Sequence, residues 1–157
     1  ELLEGEINNK RSYCVQQARR LTRATGRAGL VTGAVIGTAF AVVGLFAGHF
    51  FSPTPHIQTL IAVGMVTMGI FFPLQGWMMA IDGILIGARD YRYLAVTCTL
   101  TAVVYVTLIL ILANMVTPAL TSDLMRTAVL WAAFNVVLMG GRGLSNGLRV
   151  RSDAWMR

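Results

Sequence analysis

The sequence contains four long apolar stretches separated by short polar segments. They cover residues 28–50, 57–88, 93–122 and 127–148, and no charged residue lies between Arg92 and Asp123. Each stretch exceeds the roughly 18 apolar residues that can cross the hydrocarbon core of a bilayer as a helix. They are too long, and alternate too little, for the strands of a membrane barrel. The pattern therefore predicts an all-α membrane protein with four transmembrane helices.

Composition agrees with this prediction. Hydrophobic residues make up 55% of the chain and charged residues 13%, whereas soluble domains contain about a quarter charged residues. The formal net charge of +6 is also found in nucleic-acid-binding proteins, but here membrane topology explains where the arginines lie. We therefore expect the lipid bilayer, and no nucleic acid, among the partners of the chain.

The basic residues predict the orientation. Twelve of the thirteen Lys and Arg residues lie at one side of the predicted spans, and only Arg126 lies at the other. Cytoplasmic segments of membrane proteins are enriched in Lys and Arg. Both ends of the chain and the loop that contains Arg89 are therefore predicted to be cytoplasmic, and the loops at 51–56 and 117–125 to face outward.

The chain divides into three parts. Residues 1–27 form a charged cytoplasmic segment, for which we predict an amphipathic helix over 9–27 at the level of the lipid headgroups. The alternative is a plain extension of the first span. Residues 28–148 form the transmembrane part, and 149–157 a basic cytoplasmic tail. Within the first span, small residues recur at intervals of four and predict close packing against another helix: Gly29, Gly33, Gly37 and Ala41.

The second span contains the first candidate site. Pro73 has no amide hydrogen, so it frees the carbonyl of Gly69 and favours a kink. With Gln75 two residues later, this predicts a polar spot at the bilayer centre, as in the interrupted helices that line transporter cavities. We assign Tyr105 and Asn135 to the same substrate cavity. The alternatives are a static kink with Gln75 bonded to a neighbouring helix, and an Asn135 that only joins two helices.

Asp82 and Arg142 are the single charged residues inside the second and fourth stretches. A charge in hydrocarbon costs about 2.5–3.5 kcal/mol on insertion scales. Each of the two precedes an arginine at the inner boundary by seven residues, on helices that run in the same direction. We therefore predict an intramembrane charge pair at one depth. In the alternative, Arg142 extends to the inner headgroups, and Asp82 bonds elsewhere, binds an ion or takes up a proton.

The sequence offers no catalytic or metal-binding pattern. It lacks a Ser/His/Asp set, a pair of carboxylates at one site, a His/Cys cluster and a phosphate-binding loop. His49 and His56 flank the outer turn, and Cys14 and Cys98 do not have the spacing of metal ligands. We therefore expect neither an enzyme nor a bound metal or other cofactor.

Residues 73–94 resemble the tenth helix and following loop of multidrug and toxic compound extrusion (MATE) transporters. Residues 82–88 consist of Asp-Gly, an apolar pair and Ile-Gly-Ala, a pattern that resembles the one in the DNA-damage-inducible protein F (DinF) branch. Residues 142–145, followed by a basic tail with the late Trp155, also look like that branch. The basic stretch 18–27 resembles the loop that joins helices eight and nine. The resemblance covers the whole chain, as helices nine to twelve of a twelve-helix, two-lobe transporter.

The resemblance implies an antiporter of the bacterial inner membrane that exports drug-like cationic or amphipathic compounds in exchange for H⁺ or Na⁺. It implies a C-terminal fragment that lacks the N-terminal lobe and helices seven and eight and does not transport alone. Other branches carry an acidic cation ligand near the middle of the tenth helix. This chain has Gln75 in that region, a departure that argues against a sodium site in this lobe.

Two other classes of function are open. Small multidrug resistance exporters are stand-alone four-helix proteins, but they place a Glu in the first span, where this chain has no acid. A membrane scaffold or subunit without transport activity would use the same polar residues for assembly only. An integral membrane enzyme has the least support, because the sequence offers no site for one.

Cysteine labelling tests the predicted orientation. After Cys14 and Cys98 are replaced by Ser, single cysteines at Thr54 and Ser122 should react with a membrane-impermeant thiol reagent added to intact cells. A cysteine at Ser152 should react only after the membrane is opened, because both ends of the chain face the cytoplasm. The reverse pattern would mean that the orientation is inverted.

Overall fold

The computed structural model describes residues 2–152 and residue 155. Its α-helices are α1 (Leu2–Phe46), α2 (Gly48–Phe51), α3 (Pro55–Gly87), α4 (Tyr91–Ile111), α5 (Asp123–Ala133) and α6 (Gly141–Arg151). A π-helical segment, Leu112–Val116, extends α4, and another, Phe134–Gly140, joins α5 to α6. A 3-10 turn covers Thr117–Ala119. The described part of the chain contains no strand.

Four helical segments are long and apolar enough to cross a membrane, which confirms the predicted fold class. They are Asn8–Phe46, Pro55–Gly87, Tyr91–Val116 and Asp123–Arg151. Many large apolar side chains are exposed on them, including Leu100, Val103 and Val106 of α4. Exposure of this kind is expected where lipid tails, rather than water, surround the helices.

The basic N-terminal segment and the first span form one uninterrupted helix. α1 has 45 residues, and at about 1.5 Å per residue it is more than twice as long as the ~30 Å hydrocarbon core. No proline occurs before Pro53, so nothing in the sequence forces a break between Arg27 and Ala28. The structure therefore matches the alternative in which the segment extends the first span.

Glycines hold α1 against α3. A Cβ added to any of three glycines of α1 would overlap a carbonyl oxygen of α3; the pairs are Gly29 with Gly76, Gly33 with Phe72, and Gly37 with Gly69. Ala41 continues this face, with its Cβ 3.1 Å from where a Cβ on Gly69 would lie. The backbones touch over three turns, as small residues allow in membranes. The predicted packing role of the stripe is confirmed.

A tight turn connects α3 to α4. The amide of Arg89 donates to the carbonyl of Ile86, and the amide of Asp90 donates to that of Leu85, both at 3.0 Å. This pair of bonds is the Schellman arrangement, which needs a left-handed residue after the helix. Arg89 takes that conformation, with φ of 61°, although glycine would adopt it with less strain. α4 begins at Tyr91, immediately after this turn, so the turn fixes the position of Asp90.

The third span ends earlier than its apolar stretch. The helix continues through the π-helical segment to Val116 and gives way to the 3-10 turn that contains Pro118. Proline has no amide hydrogen and ends a helical ladder. Beyond the turn, the guanidinium of Arg126 donates to the carbonyl of Leu120, and its Nη1 lies 3.2 Å from Oδ1 of Asp123. Oδ2 of Asp123 lies 3.4 Å from Nε2 of His56. These groups tie together the ends of α3 and α5.

Substituting glycine at two positions tests the contact between α1 and α3. Gly37→Ala should lower the free energy of unfolding by about 1–3 kcal/mol, because the added Cβ meets the Gly69 carbonyl. Gly83→Ala is the matched control, since a Cβ there meets nothing within 4 Å. Unfolding in mixed detergent micelles gives both values. Equal effects at the two positions would contradict the assigned contact.

Candidate functional site

The carboxylate of Asp82 is the centre of a polar network between helices. Its Oδ2 lies 2.6 Å from an Nη atom of Arg142, and its Oδ1 accepts a hydrogen bond of 2.6 Å from the side-chain amide of Asn146. Arg142 and Asn146 are four residues apart on α6, so one helix face presents both donors. The structure thus contains the predicted Asp82–Arg142 pair, and Asn146 is a third member that sequence reasoning did not select.

The network reaches a third helix through Asn146. This side chain is fully buried, and its Oδ1 lies 3.3 Å from the hydroxyl of Thr97 on α4. The same hydroxyl is 3.0 Å from the carbonyl of Tyr93, so its one proton serves one acceptor at a time. Sequence reasoning missed Asn146 because its burial depends on how three helices pack together. The local sequence GLSNG, residues 143–147, gives no sign of that burial.

Arg142 keeps one donor unsatisfied. Its Nε is buried and has no hydrogen-bond acceptor among the described residues. A buried donor without a partner costs about 1–3 kcal/mol. The guanidinium is therefore held by Asp82 on one side and has capacity for one more acceptor on the other.

A second ion pair, Asp90 with Arg149, lies about two helical turns farther along the chain than the first. Arg149 Nε donates to Asp90 Oδ2 at 2.8 Å, and the guanidinium carbon lies 4.8 Å from the centre of the Tyr93 ring. The hydroxyl of Tyr93 donates to the carbonyl of Ser145 at 2.7 Å. The α3–α4 turn and the end of α6 are thus joined. Sequence reasoning used Arg149 only as a marker of the inner boundary and did not select Asp90, so it missed this pair.

Gln75 and Asn135 form a separate polar contact deeper in the same two spans. Gln75 Nε2 donates to Asn135 Oδ1 at 2.5 Å, and Asn135 Nδ2 donates to the carbonyl of Trp131 at 2.7 Å. Asn135 is fully buried and lies in the π-helical segment 134–140. This is the geometry of the alternative in which Gln75 bonds to a neighbouring helix.

The other two candidate cavity residues lie elsewhere. α3 is helical on both sides of Pro73, whose Cα would be 2.9 Å from a Cβ on Gly33 of α1. The Gly69 carbonyl faces Gly37 of α1 rather than Gln75. Tyr105 packs the edge of its ring against Phe134, with centroids 5.8 Å apart. The structure joins Gln75 to Asn135 by a hydrogen bond, packs Tyr105 on Phe134 and places Pro73 against α1.

The described part of the chain, residues 2–152 and 155, offers a cavity of ligand size and no cluster of metal ligands. No group of three or more His, Cys, Asp or Glu in this part of the chain is close enough to hold a metal ion. A cavity of about 440 Å³ opens near the basic end of the bundle, between α1, α3 and α6. Neither the candidate cavity residues nor the network residues line it: Pro73, Gln75, Tyr105, Asn135, Asp82, Arg142 and Asn146 are all absent from its walls. The polar network and this cavity are therefore two distinct features.

A double-mutant cycle measures how strongly the central pair is coupled. Arg142→Gln should destabilise the fold by about 3 kcal/mol, because it leaves the buried Asp82 without its counter-charge. Asp82→Asn should cost less, because the Arg142 side chain is 31% exposed. Together they should cost at least 1 kcal/mol less than the sum. The Asp123–Arg126 pair, in which both side chains are more than a third exposed, is the control, and its coupling should stay below about 1 kcal/mol. Additive effects at Asp82 and Arg142 would mean that their contact contributes nothing.

Comparison with known proteins identifies no relative. No family model, no curated protein and no solved structure matches the chain. What is established is an all-α, multi-pass membrane protein with a polar network between its spans. Its function has to be argued from that network and from the motifs in the second and fourth spans.

Proposed function

We propose that the chain is part of a multidrug efflux antiporter of the MATE type, close to the DinF branch, in a bacterial inner membrane. It would supply helices nine to twelve, and the first lobe with helices seven and eight would come from outside this sequence. The complete protein would export cationic or amphipathic compounds in exchange for H⁺ or Na⁺. Both ends of the chain would face the cytoplasm, and this part alone would not transport.

The observation that carries this proposal is the contact between Asp82 and Arg142 inside the spans. Asp82 is buried on α3 and is bonded by Arg142 and Asn146 of α6. Ionisable residues inside membrane spans are rare and mark ion or substrate pathways, because a charge there is expensive to bury. The unsatisfied Nε of Arg142 gives the pair a free donor with which to exchange partners during transport.

A second observation concerns bending. Pro73 interrupts the amide ladder of α3, and the fourth span changes to a π-helix over Phe134–Gly140. Both features are places where helices bend, and π-helical segments are frequent at functional sites. The Gln75–Asn135 bond joins the two discontinuities at one level. Neighbouring helices that flex at the same level suit a transporter that alternates between two shapes.

The second candidate is a membrane scaffold or subunit without transport activity. The mutual bonding of Gln75 and Asn135 favours it, because polar groups that satisfy each other are sufficient for assembly. A substrate cavity would instead need polar groups that point into open space. In the transporter, the contact between Gln75 and Asn135 would have to change during function. In the scaffold, it would stay as it is.

Dye export by the unmodified protein separates the two candidates, and export by the Pro73→Ala variant tests whether α3 has to bend. The reading frame that contains this chain is expressed in a host that lacks efflux pumps, and uptake of a fluorescent cationic dye is followed in inverted membrane vesicles. Pro73→Ala restores an amide hydrogen and stiffens α3, so export should fall at least about threefold with little loss of membrane level. Thr107→Val, on the exposed face of α4, is the control and should export normally.

Two results would count against a transport role for this site. Unchanged export by Pro73→Ala would reduce the proline to a static element of packing. Absence of dye export by the unmodified protein, at normal membrane level and across several cationic and amphipathic compounds, would favour the scaffold.

A further inference from the structure

The cavity between α1, α3 and the end of the fourth span has a charged side and an apolar side. On α1 its lining residues recur at helical spacing, from Arg19 through Arg23 and Arg27 to Leu30. Residues at such spacing share one helix face. The charged groups therefore lie toward the basic end of α1, and the apolar group lies toward the membrane-spanning part.

The charged side carries a concentrated positive charge. Four arginines line the cavity, and no Asp or Glu is among its described lining residues. Arg23, Arg27 and Arg151 make no ion pair or hydrogen bond with any described residue, whereas Arg126, Arg142 and Arg149 are all paired. Three arginines without a partner among the described residues, gathered around one concave site, attract anions, above all phosphate groups with several acceptor oxygens.

The apolar side is formed by Leu30, Ile81 and Trp77. Glycines of two helices position the indole: a Cβ on Gly26 would lie 3.3 Å from it, and a Cβ on Gly147 would lie 2.8 Å from it. The indole N–H has no hydrogen-bond acceptor among the described residues and lies beside Gly26. Trp77 therefore offers both an apolar surface and one further donor to a ligand.

We propose that this cavity binds one anionic glycerophospholipid molecule. Arg23, Arg27 and Arg151 would contact its phosphate, and its glycerol backbone and upper acyl chains would lie along Leu30, Ile81 and Trp77. The site lies where the basic part of α1 enters the apolar part, which is the level of the headgroups. Basic pockets between spans bind lipid headgroups of this kind. A free phosphate would use the arginines but leave the apolar side without a partner, so we favour the lipid. The proposal does not depend on transport.

Quenching by brominated lipid tests the proposal directly. The Trp131→Phe variant retains Trp77 and Trp155, and both of these line the cavity. This protein is reconstituted in phosphatidylcholine vesicles that contain a small share of either brominated phosphatidylglycerol or brominated phosphatidylcholine. We expect the anionic brominated lipid to quench at about tenfold lower mole fraction, because several arginines contact its phosphate.

The matched variants separate a site from general attraction to a charged membrane. Arg23→Gln, Arg27→Gln and Arg151→Gln together should abolish the preference for the anionic lipid. Arg11→Gln, Arg20→Gln and Arg92→Gln together remove the same charge at exposed positions outside the cavity and should leave the preference intact. Far-UV circular dichroism checks that both proteins remain helical. If the first variant loses helix, Arg27→Gln alone is measured and should weaken the preference at least about twofold.

Several outcomes would overturn the proposal. These are equal quenching by the two brominated lipids, an equal loss of preference in both triple variants, or an unchanged preference in Arg27→Gln where that variant is used. Inorganic phosphate provides the last arm. If millimolar phosphate removes the quenching by brominated phosphatidylglycerol, the arginines bind a soluble anion rather than a lipid.

Discussion

Hydrocarbon offers no hydrogen bonds, and this constraint governs how the spans of the protein are arranged. A polar side chain in a span must find its partner on another helix or on its own backbone. Gln75 and Asn135 meet for this reason, and Asp82 is held by Arg142 and Asn146. Each contact joins α3 to the fourth span. Helix rotation is thereby set by polar groups, because apolar side chains fit lipid and protein almost equally well.

Close backbone contact supplies the complementary interaction. α1 lies so near to α3 that Gly29, Gly33 and Gly37 have no room for a side chain. This approach lets many weak van der Waals contacts add up where the hydrophobic effect gives helices no reason to associate. α3 is therefore the shared element of the fold. One of its faces meets α1 through glycines, and another meets the fourth span through polar side chains.

The candidate network and the basic cavity share the same region of the bundle. Trp77 of α3 lies between the glycines of α1 and those of α6, and it forms a wall of the cavity. Asp82 lies farther along the same helix, within reach of Arg142. Any movement of α6 against α3 would therefore change both the ion pair and the shape of the cavity. In the proposed transporter, a bound lipid would be in a position to respond to that movement.

The number of spans, the glycine face of α1 and the shared depth of Asp82 and Arg142 could all be predicted from the amino-acid sequence. These properties depend on local composition, on helical periodicity and on the fixed rise per residue, so they can be read along one chain. Helix rotation could not be predicted in this way, because periodicity does not say which face meets which neighbour. Rotation brought Asn146 to Asp82, turned Pro73 toward α1, and placed the ring of Tyr105 against Phe134. It also gathered arginines of α1 and Arg151 around one cavity, because side chains so far apart in the sequence meet only when the helices pack.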